Sequence, residues 1–190
     1  MIHDEEPIDA GAALERLRAG NEAFARADHN VRTVSPEVRR TLVAHGQHPF
    51  AAVLTCADSR VVPEDVFMCG LGELFVVRVA GNVAGDTQVA SMAYAVEHLG
   101  PRLVVVMGHT HCGAVGAVVG GDVDASIAAV CDPIVHAIGA ERDETAATVL
   151  NVRAQVARLH DALAHYVDEH DLRVVGALYH TGSGLVEWLD

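Results

Sequence analysis

The sequence predicts an α/β domain in which helices cover both faces of a mostly parallel, four-stranded sheet, with a C-terminal run able to add an antiparallel edge strand. Four short runs, FAAVLT (50–55), ELFVVR (73–78), RLVVVMG (102–108) and LRVVGALYH (172–180), are nearly uniform in apolar residues, the pattern of strands buried on both faces. Helical spacings alternate with these runs, which is the order of βαβ units. The 190 residues are 51% hydrophobic and 21% charged, enough to form one packed core. No Pro, Ser or Gly run marks a linker, so residues 1–190 read as one domain with an N-terminal helical arm over about residues 1–46.

From the N-terminus, Leu14, Leu17, Asn21 and Phe24 recur at 3, 4, 3 spacing, an amphipathic helix over residues 10–27 with one polar member in its stripe. Ser35-Pro36 supplies the N-cap and first residue of a second helix, which runs to Gly46 before Pro49 breaks the chain. Between the second and third strands, Val89, Met92, Val96 and Leu99 repeat the 3, 4, 3 spacing, and Gly100-Pro101 closes a crossover helix over 86–99. A small-residue segment, GAVGAVVGG, precedes weakly helical residues 123–139. One long helix then keeps Val149, Val152, Val156, Leu159, Leu163 and Val167 in phase. After the fourth strand, Gly182 and Gly184 allow a turn into GLVEWL, the antiparallel edge.

Acidic side chains outnumber basic ones 26 to 13, a net charge of −13, which argues against nucleic acid or an anionic membrane as partner. The start, MIHDEEPIDAG, is acidic where a leader would be basic, and no apolar run reaches the ~18 residues of a span, so the expected location is cytoplasmic. Four cysteines are too few for a disulfide scaffold of this size, and a cytosolic thiol is reduced, a metal ligand or core.

Ligands of such sheets bind beyond the carboxyl ends of the strands. There the first strand ends in Cys56-Ala57-Asp58-Ser59-Arg60 and the third in His109-Thr110-His111-Cys112-Gly113. Two thiolates and an imidazole are a donor set that zinc prefers, with a fourth position left open for catalysis. A lone HxxC pair reads more often as a core histidine near a thiol, and Cys56 at a matching strand end reverses that balance. Asp58 and Arg60 stand at alternating positions after Cys56, so the guanidinium can hold the carboxylate ionised beside a metal. Without the cysteines the pair would read as a loop salt bridge of little worth. Cys69 and Cys131 have no partner motif and read as small buried hydrophobes. Tyr94 lies off the 89/92/96/99 stripe, so with Ala90 and Ala93 near it, it needs a second burial partner.

These residues resemble the β-class carbonic anhydrases, whose signatures look like CxDSR and HxxCG. The likeness extends to Leu17-Arg18-Ala19-Gly20-Asn21 with Phe24, Gln47 before Pro49, Val61 with Pro63-Glu64, Gly72 to Arg78, and Ala80-Gly81-Asn82. It implies a zinc lyase that hydrates carbon dioxide reversibly to bicarbonate and a proton by a zinc-bound hydroxide. The resemblance makes Cys56, His109 and Cys112 the zinc ligands and Asp58 with Arg60 the dyad that orients the hydroxide. It makes Gln47 and Gly113 contacts to substrate oxygen, and Phe75 and Tyr94 walls of a pocket shared with a neighbouring subunit. It also implies a homodimer, or a dimer of dimers, with the N-terminal helices wrapping the partner. From periodicity alone, Phe75 and Tyr94 are equally well core residues and Gln47 a surface loop residue. Val79 stands where the family often has Asn, and Tyr179-His180 where it often has YD, so His180 is given no role. His111 alternates with the ligands and is expected to turn away. Val53 and Thr55 replace the Trp and Gly of an inhibitory bicarbonate pocket in some members, so that pocket is expected to be absent. Two other readings keep the same site: hydrolysis of carbonyl sulfide or carbon disulfide, and a non-catalytic bicarbonate sensor.

Overall fold

The computed structural model describes residues 7–26 and 34–189. The acidic start at residues 1–6 and the last residue of the first expected helix, at position 27, lie outside them. Helix α1 (Ala10–Ala25) is capped by the Asp9 side chain, and α2 (Pro36–His45) by Ser35 with Pro36 in its first turn. Gly46, at φ 85°, ends α2. The strands are β1 (Ala51–Thr55), β2 (Leu74–Arg78), β3 (Leu103–His109), β4 (Arg173–Tyr179) and β5 (Val186–Leu189). They form one sheet in the order β2-β1-β3-β4-β5, parallel except for β5, which pairs antiparallel to β4. Every residue of β1 and β3 is buried, which is why their sequence runs lack alternation.

One sheet face packs Val53, Val105, Met107 and Ala177 against Leu14 and Leu17 of α1. The other packs Leu54, Val104 and Val106 against Met92 and Val96 of α4 (Asp86–Leu99) and against Val152 and Leu159 of α7 (Glu144–Ala162). The expected crossover helix is present over its full span, closed by Gly100 at φ 78°. Asn21, the polar member of the α1 stripe, is buried because it satisfies three backbone groups. Its Nδ2 donates to the carbonyls of Val66 (3.3 Å) and Gly184 (2.8 Å), and its Oδ1 accepts from Val186 N–H (2.8 Å).

The structure adds elements and corrects others. A short helix, α3 (Pro63–Val66), follows the first strand loop, and GAVGAVVG forms α5 (Gly113–Gly120). The weakly helical stretch is a turn at 125–127 followed by α6 (Ala128–Ile138). The one long helix expected here is two, because Leu163 (φ −107°, ψ 13°) breaks it before α8 (Ala164–His170). The buried face of α7 is also turned from the expected stripe: Thr148, Asn151 and Gln155 are buried, while Val149 and Val156 are half-buried. Among the described residues no helix is long and apolar enough to cross a membrane.

The chain leaves β1 toward β2 on one side and returns through α4 to β3 on the other. The order therefore reverses beyond the carboxyl ends of β1 and β3, where an open α/β sheet forms its crevice.

Candidate metal centre

Cys56 follows β1 directly, His109 is the last residue of β3, and Cys112 precedes α5 as its N-cap. His111 takes a left-handed conformation (φ 59°) in the turn that carries the chain from His109 to Cys112. The three side chains are 4%, 0% and 1% exposed, and one ligand atom from each lies within 4.8 Å of the others. The two sulfurs are 4.0 Å apart. His109 Nδ1 lies 3.0 Å from the Thr110 carbonyl oxygen, so it carries the proton and donates it, which leaves the Nε2 lone pair free. Nε2 is buried without a hydrogen-bond partner. A buried acceptor with no donor, facing two thiols, is an arrangement that a soft or borderline cation satisfies.

The electrostatics agree. Hydrogen bonding to Cys112 draws the Cys56 thiol down against its burial, with help from His109. Cys112 is pushed up by Cys56 and by burial, so the two thiols titrate as a coupled pair. Burial works to lower the His109 pKa, and the Cys56 sulfur beside it overrides that effect and raises it.

Asp58 and Arg60 form a tight pair. Arg60 Nε donates to Oδ1 (3.0 Å), Nη2 to Oδ2 (2.7 Å), and the Arg60 backbone N–H to Oδ1 (2.9 Å). The same Nη2 also donates to the His111 carbonyl (3.0 Å), which ties the two strand-end loops together. The Arg60 side chain holds the Asp58 carboxyl well below the usual carboxylate range. Asp58 Oδ2 stands 3.9 Å from His109 Nε2, so the carboxylate faces the ligand cluster.

Sequence reasoning gave no role to Arg78 and Gly81, and both support the loop. Arg78 donates from Nε to the Cys56 carbonyl (3.2 Å) and from Nη2 to the Asp58 carbonyl (2.6 Å). The signal available was a cation ending an apolar strand at the ligand rim. Gly81 N–H donates to Cys56 Sγ (3.3 Å). Val79, in place of the expected Asn, joins the loop through its backbone, bonding Thr55 (3.0 Å) and Ala57 (3.3 Å).

The remaining candidates fall into two groups. Gly113 opens α5 next to Cys112 and is exposed at the rim. Gln47 is exposed before the start of β1, and the whole strand, roughly 16 Å long, separates it from Cys56. Phe75 pairs with Ala52, near the same far end, and its ring lies 6.4 Å from that of Tyr94, which is 51% exposed. These three are not brought to the ligands within one chain. Val53 and Thr55 are fully buried in β1. His111 is exposed, and His180 pairs with Glu187 (3.1 Å). Cys69 and Cys131 are free and buried, and burial pushes the Cys69 thiol up to about 12.

The family model described as "Carbonic anhydrase" matches residues 51–186. Carbonic anhydrase 2 of Mycobacterium tuberculosis is 45% identical over 108 residues, 56% of this chain and 51% of that protein, so the match spans about half of that relative's length. The carbonic anhydrase of Mycolicibacterium smegmatis is 35% identical over 189 residues, 93% of this chain and 91% of that protein. Among solved structures, the β-carbonic anhydrase CafA of Aspergillus fumigatus superposes with a TM-score of 0.76 at 26% identity, covering 95% of this chain and 89% of that one.

Proposed function

The chain belongs to the β-class carbonic anhydrases, and from that premise we propose that it catalyses the reversible hydration of carbon dioxide to bicarbonate and a proton, with one zinc ion held by Cys56, His109 and Cys112. The observation that carries this reading is the buried, unpartnered His109 Nε2 beside two thiols, with the Asp58 carboxylate 3.9 Å away. When bound, zinc supplies a Lewis acid that makes water available as a nucleophile near neutral pH.

The protein's own residues do the rest. Arg60 uses three donors to fix Asp58, so the carboxylate stays ionised and its Oδ2 can accept a proton-bearing group at the ligand cluster. Cys56, Val83, Cys112, Val115 and Ile134 pack as one apolar cluster around the sulfurs, which keeps bulk water from competing for the ligands. The N–H of Gly113, in the first turn of α5, is free to meet an oxygen of substrate or product.

A homodimer, or a dimer of dimers, completes the reading. Gln47, Phe75 and Tyr94 would line the pocket of a second copy, which supplies the burial that Tyr94 lacks. Helix α2 buries none of its residues, and Val43 on it is 89% exposed, which supports its use as an arm on the partner. We place the protein in the cytoplasm, where thiols stay reduced and able to bind a metal.

Stopped-flow hydration with a pH indicator, run beside a carbonyl sulfide assay and a metal analysis, tests the reading. Carbon dioxide turnover with one zinc per chain is expected. Turnover of carbonyl sulfide without carbon dioxide hydration would overturn the substrate, and a metal-free active protein would overturn the centre.

A further inference from the structure

Helix α7 buries polar side chains where an amphipathic helix ordinarily places apolar ones. Asn151 is fully buried and Gln155 is 3% exposed. With Arg158 they stand at i, i+4 and i+7, on one face of the helix. That face lies against residues 81–86, the segment whose Gly81 N–H reaches Cys56 Sγ.

The hydrogen bonds run in one direction. Ala84 N–H donates to Gln155 Oε1 (2.9 Å), Gln155 Nε2 to Asn151 Oδ1 (3.0 Å), and Asn151 Nδ2 to the Gly81 carbonyl (2.9 Å). Both amide orientations are thereby determined, because the chain has a backbone donor at one end and a backbone acceptor at the other. Arg158 closes the far end, with Nε on the Ala84 carbonyl and Nη2 on Asp86 (2.8 Å). Gly81 is thus held on both sides, its C=O by Asn151 and its N–H by the sulfur. Only glycine fits there: φ is 68°, and a Cβ would meet Ile134 Cδ1 at 2.7 Å.

We propose that Asn151 and Gln155 are positioning residues for the metal-binding thiolate, an amide relay that keeps the Gly81 N–H on Cys56 Sγ. This rests on the reading of Cys56, His109 and Cys112 as metal ligands. Outer hydrogen bonds of this kind orient ligands and tune their electron donation. Losing the N–H on sulfur leaves the thiolate richer in charge, which lowers the energy of the sulfur-to-metal charge-transfer absorption of a cobalt-substituted site.

The test uses the full-length protein loaded with Co(II), with zinc affinity measured in parallel by chelator competition. Asn151→Ala should shift the charge-transfer band to longer wavelength and weaken zinc binding about tenfold. Gln155→Met, nearly isosteric, leaves Asn151 in place but frees its amide to swing, and should give a smaller shift in the same direction. It also decides the matter if Asn151→Ala does not fold. Leu159→Ala, one turn further along the same helix and equally buried, should lower the melting temperature without moving the band. An unshifted band in both relay variants, or an equal shift in Leu159→Ala, overturns the relay. A parent protein that takes up neither metal overturns the metal reading itself, and with it the relay.

Discussion

At the carboxyl ends of β1 and β3 the chain buries Cys56, His109 and Cys112 to 4% exposure or less, while α2 buries no residue and leaves Val43 89% exposed. The loops that carry this cluster are tied in place by their own chain. Arg60 joins both strand-end loops, Arg78 holds two carbonyls of the Cys56 loop, and Gly81 reaches the sulfur. The second has apolar groups without cover. Val43, Leu71 and Tyr94 are exposed at 89%, 43% and 51%, and Leu42 gives α2 its seat against Gly72. Geometry that must be right to a fraction of an ångström is built from one chain's hydrogen bonds. The second region shows apolar surface of the kind that marks an interaction face.

Cys56→Ser with Cys112→Ser should break the first region most completely. Metal analysis should show zinc lost, and carbon dioxide hydration should fall to the uncatalysed rate. Sedimentation should match the parent, because the exposed side is untouched. A double variant that keeps full zinc occupancy would contradict the ligand set.

Arg60→Ala should act next in size, lowering turnover on the order of 10²-fold with the fold intact. Its pH behaviour follows from the depressed pKa of Asp58. Because the folded value lies below the unfolded one, the pairing stabilises the protein above the unfolded pKa and is lost as pH falls through the folded value. The melting temperatures of parent and variant should therefore differ slightly at neutral pH and converge in strong acid. Arg60 is half exposed, so solvent screening keeps the gap small. A gap that widens on acidification would contradict the pairing.

Val43→Asp should perturb only the second region. An exposed substitution changes the stability of the single chain by no more than about 0.5 kcal/mol. Sedimentation velocity should nevertheless show a shift toward monomer, with activity falling in proportion. Identical sedimentation of parent and variant would remove the α2 face from any interface.

The same contrast separates what the sequence made legible from what it hid. Strands sealed on both faces announce themselves as uniform apolar runs, and the 89/92/96/99 stripe with Gly100-Pro101 located α4 to the residue. That Cys56, His109 and Cys112 converge was legible because few residue types suit a metal site at matching strand ends. Helix α5 was hidden because Gly, Ala and Val in GAVGAVVG carry no contrast between faces. The break at Leu163 was hidden because the apolar phase continues across it: Leu163 is buried and Val167 packs on the same core. Asn151 and Gln155 escaped a search for apolar periodicity because their burial is decided by backbone partners 70 and 71 residues away.

Asn21 sets the order of events during synthesis. Its amide bonds Gly184 and Val186, residues 163 and 165 positions later in the chain. A ribosome adds roughly 5–20 residues per second, so α1 is complete many seconds before those partners exist. In that interval the Asn21 amide has only solvent or Val66 to bond, and α1 cannot reach its final seat. The hairpin of β4 and β5 latches α1, and a nascent chain stalled before residue 184 should hold α1 loosely, open to protease until that hairpin is made.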